Sequence, residues 1–194
     1  MKQDYSIKIK EYLNLEKTIL DQLDISEINS AINEIVDAYQ REGTIYIFGN
    51  GGSAATASHY ANDFNKGISE YTEKKFRFIC LNDNISTLMA VANDIGYEEV
   101  FRFQLTGKLN PRDLVIGISG SGNSKNVVNA LAYAKQCQVP TIGITGYDGG
   151  KVRQIADLSL HVPISNMQIT EDIHMIFDHL MMTVLYQSWQ LKGH

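Results

Sequence analysis

Two groups of histidines and carboxylates stand out in this chain of 194 residues: His59 with Asp63, and Glu171, His174, Asp178 and His179 much further along. Imidazoles and carboxylates exchange protons near neutral pH, and the same side chains hold divalent cations. Their spacing is helical. His59 and Asp63 stand at i and i+4, so both project from one face of a helix. Glu171, His174 and Asp178 share a face of a second helix, with His179 roughly 80° round from Glu171 at ~100° per residue. Glu171 and His174 also form an ExxH pair of the kind that binds metal in helical carboxylate sites, though a supporting role suits His174 better. Taken singly, each residue is better read as a surface cap or a satisfied core polar group; gathered beside glycine-rich loops, they read as a site. His161, inside the apolar run LHVPI, reads as a core histidine, and His194 is terminal.

The glycine-rich loops supply the other half of the chemistry. Gly49-Asn50-Gly51-Gly52-Ser53 ends one apolar run and opens a helix; Ser119-Gly120-Ser121-Gly122-Asn123-Ser124 follows DLVIGI and opens another. Glycines let backbone N–H groups approach an anion, and a helix N-terminus adds about half a positive charge. Ser53 can give a hydroxyl to that anion or cap its helix. Hydroxyls and amides together suit a phosphate held without lysine. Neither loop is a Walker A motif, because no Gly-Lys-Ser/Thr follows, and GNGGSA is a poor match to the dinucleotide fingerprint. One such loop would pass as a tight turn with a helix cap; two at strand ends argue for a binding site.

The elements that must position these residues follow from the hydrophobic period. Residues 3–22 and 27–41 carry apolar residues at helical spacing. The period then shortens to that of strands at 43–49, 76–81, 113–119, 141–146 and 158–164, with helical stretches near 54–65, 85–93, 97–108, 124–136, 150–156 and 168–190 between and after them. Alternating strands and helices imply a doubly wound α/β domain: a five-stranded parallel sheet covered on both faces, with right-handed crossovers. Residues 1–194 read as one domain with a helical extension over 1–42, and 67–75 reads as a polar loop.

Composition narrows the partners. A formal charge of −5 and the lack of a basic cluster weigh against nucleic acid. No apolar run approaches the roughly 20 residues that span a bilayer, and MKQDYSIKIKEYL scatters its charges, unlike a signal peptide or membrane anchor. Cys80 and Cys137 form no disulfide framework and no zinc-finger spacing; they fit the core of a protein in the reducing cytoplasm.

The pair FGNGGSA and GISGSGNS resembles the sugar-isomerase (SIS) domain family of phosphosugar-binding proteins. With ANDIGYEEVF, TGYDGGK and EDIHMIFDHL, the resemblance runs over essentially the whole chain and is nearest to the phosphoheptose isomerases. It implies a flavodoxin-like sandwich, a homotetramer with sites between subunits, and aldose–ketose isomerisation of a phosphosugar. The most fitting reaction takes sedoheptulose 7-phosphate to D-glycero-D-manno-heptose 7-phosphate through a cis-enediol. The alternatives are a non-catalytic relative that senses a sugar phosphate or binds the replication initiator, and an isomerase of another phosphosugar. By position, the resemblance implies substrate contacts at Asn50, Gly51, Gly52, Asn93, Asp94, Ser119, Gly120, Ser121 and Ser124. It also implies a catalytic and zinc-binding set of His59, Asp63, Glu171 and His179, one zinc per subunit. In that reading Asp63 and His179 move the protons, and Asp63 and Glu171 also meet the sugar. Three positions depart from the family pattern: Asp63 stands for glutamate, Glu171 for glutamine and Gly120 for threonine.

Overall fold

Strands and helices alternate where the hydrophobic period changes. The structure, a computed structural model, describes residues 3–191; His194 and the outer ends of the 1–194 reading lie outside the described residues. Helices α1 (Ser6–Leu20) and α2 (Ile25–Gln40) come first, α2 capped by Asp24, whose carboxylate accepts from the amides of Ser26 and Glu27. Then follow β1 (Ile45–Gly49), α3 (Gly52–Asn62), a π-turn (Asp63–Gly67), a 3-10 turn (Ile68–Tyr71) and β2 (Phe78–Cys80). Helix α4 (Ile85–Asp94), a 3-10 turn (Tyr97–Glu99) and α5 (Arg102–Leu105) lead to β3 (Leu114–Ser119) and α6 (Lys125–Gln136). The chain closes with β4 (Thr141–Thr145), α7 (Gly150–Ile155), β5 (Leu158–His161) and α8 (Met167–Ser188).

All five strands are parallel, in the order β2-β1-β3-β4-β5. Ile45 and Ile47 pair with Leu114 and Ile116, so they share one face. That face packs against α2, α3 and α8, while Tyr46, Phe48 and Val115 turn to the opposite core under α4, α5, α6 and α7. A period of two therefore feeds two separate cores. Strand order reverses between β1 and β3. The chain crosses to opposite faces from these two strands, and their carboxyl ends are the usual ligand position in such sheets.

The expected elements are present, with shifted ends. The helix expected over 54–65 stops at Asn62 and continues as the π-turn, and the expected loop at 67–75 contains the 3-10 turn. The helix expected over 97–108 is only a 3-10 turn plus the single turn α5. Its apolar residues Val100, Phe101 and Leu105 fold inward, while the side-chain amide of Gln104 donates to the carbonyls of Leu81 and Val100 at 3.1 and 2.9 Å. Among the described residues no helix is long and apolar enough to cross a membrane.

Candidate active site

β1 ends at Gly49, and the residues after it are held from three directions. Gly51 has φ 55° and ψ −120°, a conformation only glycine adopts readily. Asn82 clamps the strand end: its Nδ2 donates to the Gly49 carbonyl at 2.9 Å, and its Oδ1 accepts from the Gly49 amide at 3.2 Å. Asn50 exchanges hydrogen bonds with Asn126 of α6 at 2.9 and 2.8 Å, and the Tyr97 hydroxyl donates to Asn50 at 2.9 Å. Asn126 is buried, so this amide pair locks the loop after β1 to the helix after β3. Glu171 comes from α8. A Cβ on Gly52 would lie 2.5 Å from its Oε2, so the carboxylate packs against the bare first turn of α3. A negative charge is favoured at that helix N-terminus. Ser53 is buried beneath the same turn.

The second loop is held from within. The Ser119 hydroxyl donates to Ser124 Oγ at 3.0 Å, the Asn123 amide donates to Ser121 Oγ at 3.2 Å, and the Gly122 amide donates to the Ser119 carbonyl at 2.9 Å. Ser124 stands at the N-cap of α6 without a capping hydrogen bond from its side chain. The loop therefore presents hydroxyls and a helix start at one place. Gly120 has a local reason to lack a side chain: a Cβ there would lie 2.7 Å from Met167 Sδ. Methionine fills the space that the family's threonine would need.

α3, the π-turn that follows it and α8 bring together His59, Asp63, Asp178 and His179, whose ligand atoms all lie within 4.8 Å of one another. His59 Nε2 is 3.2 Å from His179 Nε2, 3.3 Å from Asp63 Oδ2 and 3.9 Å from Asp178 Oδ2; His179 Nε2 is 4.0 Å from Asp63 Oδ2. Asp178 is fully buried, and neither of its oxygens has a hydrogen-bond partner. Burial first, and then the nearby charge of Asp63, push its carboxyl up to about 8. Two imidazoles and two carboxylates are a suitable donor set for zinc. Bonds of about 2.0–2.1 Å in a tetrahedron separate donors by roughly 3.3 Å, the spacing of His59 from His179 and from Asp63. The orphaned carboxylate and the paired ring nitrogens fit a divalent cation.

Three of the four residues that the resemblance implies as ligands thus converge, with Asp178 in the fourth place and Glu171 beside Gly52. His174 is not in the group. It is buried, and burial lowers its pKa to about 4 against an opposing pull from the Thr145 backbone. His161 is half-buried at the end of β5, its Nδ1 3.1 Å from the Thr145 hydroxyl. Asn93 and Asp94 end α4, exposed, three residues before the tyrosine that reaches Asn50. Cys80 is buried with its thiol pushed up to about 12, and both cysteines are free. Sequence reasoning missed Asn82, Tyr97 and Asn126, which come from three separate segments and carry no shared pattern. Asp178 left one signal: a charge in the otherwise apolar stripe of Ile173, Phe177 and Met181.

The chain matches the SIS-domain family over residues 9–146. It is 36% identical over 166 residues to a phosphoheptose isomerase of Helicobacter pylori, covering 86% of each chain. A phosphoheptose isomerase of Aliarcobacter butzleri is 36% identical over 179 residues, 91% of this chain and 94% of that protein. The solved structure of phosphoheptose isomerase GmhA from Neisseria gonorrhoeae superposes with a TM-score of 0.86 at 26% identity, over 95% of this chain and all of that one. The likeness extends through both glycine–serine loops and the parallel sheet that carries them, and on that ground the chain belongs to the SIS-domain family, in its phosphoheptose isomerase branch.

Proposed function

We propose that this protein interconverts sedoheptulose 7-phosphate and D-glycero-D-manno-heptose 7-phosphate. The observation that carries the reading is the juxtaposition at the carboxyl ends of β1 and β3: two anion-suited loops locked together by Asn50 and Asn126, with a histidine–carboxylate group on the helix leaving the first of them. A protein that only bound a sugar phosphate would have no use for that group. The phosphate rests on Ser119, Ser121 and Ser124, the backbone of Gly120 and the turn at Ser53. Asn50, Gly51, Gly52, Asn93, Asp94 and Glu171 contact the sugar.

Isomerisation moves one proton between carbons and one between oxygens. Starting from the ketose, Asp63 takes a proton from C1 while the C2 carbonyl oxygen gains one, which gives the cis-enediol. His179 carries the proton between O1 and O2, and return of a proton to C2 completes the aldose. Zinc, one per chain, would be held at the group containing His59, Asp63 and His179, and would supply Lewis-acid polarisation of a carbonyl oxygen. The reading places the enzyme in the cytoplasm, in keeping with two free cysteines.

We further propose that residues 1–194 form one domain whose extension over 1–42 serves assembly into a homotetramer. Helix α1 buries only Ile19 and exposes Ile7, Ile9 and Leu13, while α4 separately exposes Ile85 and Met89. Two unpartnered apolar faces on different sides of one chain suit two two-fold interfaces, which together give a dimer of dimers.

The test is incubation with sedoheptulose 7-phosphate in heavy water, followed by mass and NMR analysis. The expected product is the aldose phosphate with deuterium at C2. A folded protein that yields neither aldose nor deuterium exchange sinks the proposal. The double variant Ser121→Ala, Ser124→Ala should raise KM by about tenfold or more with a much smaller change in kcat, since phosphate contacts exist in ground and transition states alike.

A further inference from the structure

Helix α8 carries two carboxylates on one face, and only one of them reaches the histidines. Asp178 is 0% exposed, with neither oxygen hydrogen-bonded, and its Oδ2 lies 3.9 Å from His59 Nε2. A buried carboxylate without a partner costs several kcal/mol, and folds retain one where a cation or a charged group satisfies it. Among the described residues no lysine or arginine is paired with it; the facing groups are His59, Asp63, His179 and the buried Tyr60. Its chain neighbour His179 is 58% exposed, so the two adjacent residues flank the group from its buried and open sides. Glu171 lies two helical turns earlier, about 10.5 Å of rise along the axis. Its carboxylate is taken up against Gly52 at the start of α3.

We propose that Asp178, and not Glu171, is the fourth ligand of the cation held by His59, Asp63 and His179. Glu171 is then a substrate-side carboxylate at the mouth of the first loop. This deepens the isomerase reading and rests on it for the role of Glu171 alone. The division has a chemical consequence: the carboxylate that faces the substrate keeps its lone pairs, because the buried one satisfies the ion.

The experiment strips the full-length protein with a chelator and titrates zinc back against a chromophoric competitor, for wild type, Asp178→Asn and Glu171→Gln. Asp178→Asn should weaken zinc binding by about tenfold to a hundredfold or more, and Glu171→Gln should stay within about threefold of wild type. Cobalt(II) supplies a reading independent of turnover. Wild type and Glu171→Gln should share one visible spectrum, and Asp178→Asn should give another. Asp178→Cys keeps an anionic donor; it should retain the ion and add a thiolate-to-cobalt charge-transfer band in the near ultraviolet, which covers the case in which Asp178→Asn does not fold. Wild-type zinc affinity in Asp178→Asn, an equal loss in Glu171→Gln, absence of the charge-transfer band, or a wild type that binds no zinc would each overturn the assignment. Turnover of sedoheptulose 7-phosphate is scored separately. An inactive protein with the expected pattern of affinities refutes the isomerase reading and leaves the ligand assignment standing.

Discussion

Asp178 and His174 lie one turn apart on α8 and share a fate: both are buried, and without metal both are held uncharged at neutral pH. Their effects on stability run in opposite directions. Asp178, raised to about 8, keeps a proton that the unfolded chain gives up near 4, so its contribution falls as pH rises between those values. His174, lowered to about 4, refuses a proton that the unfolded chain takes up below about 6.5, so its contribution rises with pH through that window. Asp63 faces the first group and His161 the second. Between about pH 4 and 6.5 the two slopes oppose each other; from about 6.5 to 8 only Asp178 remains, at up to about 1.4 kcal/mol per pH unit. Chelator-treated protein should therefore lose melting temperature from pH 6.5 to 8, and Asp178→Asn should be flat there and lose stability on acidification instead. A flat profile for metal-free wild type over pH 6.5–8 would contradict this account. At this scale part of the candidate site was legible: helical spacing gave the face bearing His59 and Asp63, the glycines gave the loops, and His179 came only from the family resemblance, since spacing set it apart from Glu171. That Asp178 points into the group while Glu171 rests on Gly52 depends on how α8 packs on α3, which no spacing within one helix contains.

Elements, not single side chains, hold the two loops in register. α3 gives way to a π-turn at Asp63, and Asn65 within it bonds both the amide and the carbonyl of Phe78 at 2.8 Å. The turn thus closes off part of the edge strand β2 and fixes the end of the helix that carries Asp63. α6 is fixed to β1 by Asn50 and Asn126. Asn126→Ala leaves Asn50 Nδ2 without its partner in a partly buried place, with Oδ1 keeping only the Tyr97 hydroxyl, so it should lower stability by about 1–3 kcal/mol and raise KM. Asn50→Ala should add little on top of it, because both changes break one bond pair; full additivity in a thermodynamic double-mutant cycle would show that the loops are not locked this way. The parallel sheet was readable because each strand is a short apolar run between helical stretches. The segment 97–108 was not, since its apolar residues suit a helix period while burial of Phe101 and the inward Gln104 amide bend it into separate turns.

On the scale of the molecule, the exposed apolar faces mark what one chain leaves unfinished. Ile7 is 73% and Met89 67% exposed, on elements otherwise packed from one side. If α1 serves assembly as proposed, Ile7→Asp with Leu13→Asp should reduce the oligomer to dimers or monomers while the chain stays folded, read by light scattering at micromolar concentration. A wild type that is monomeric there would remove the assembly proposal. The meeting of α3 with α8 has a further consequence, in time. His59 and His179 are 120 residues apart in the sequence, so neither half of the group can find the other until α8 has left the ribosome. An ion that bridges them clasps most of the chain into one loop, and closing a loop of that length by a covalent link contributes ~4–5 kcal/mol in chain-entropy terms. The clasp must open before α8 can peel away, so bound metal should lengthen the half-life of the native protein in strong denaturant, quite apart from where the equilibrium midpoint lies.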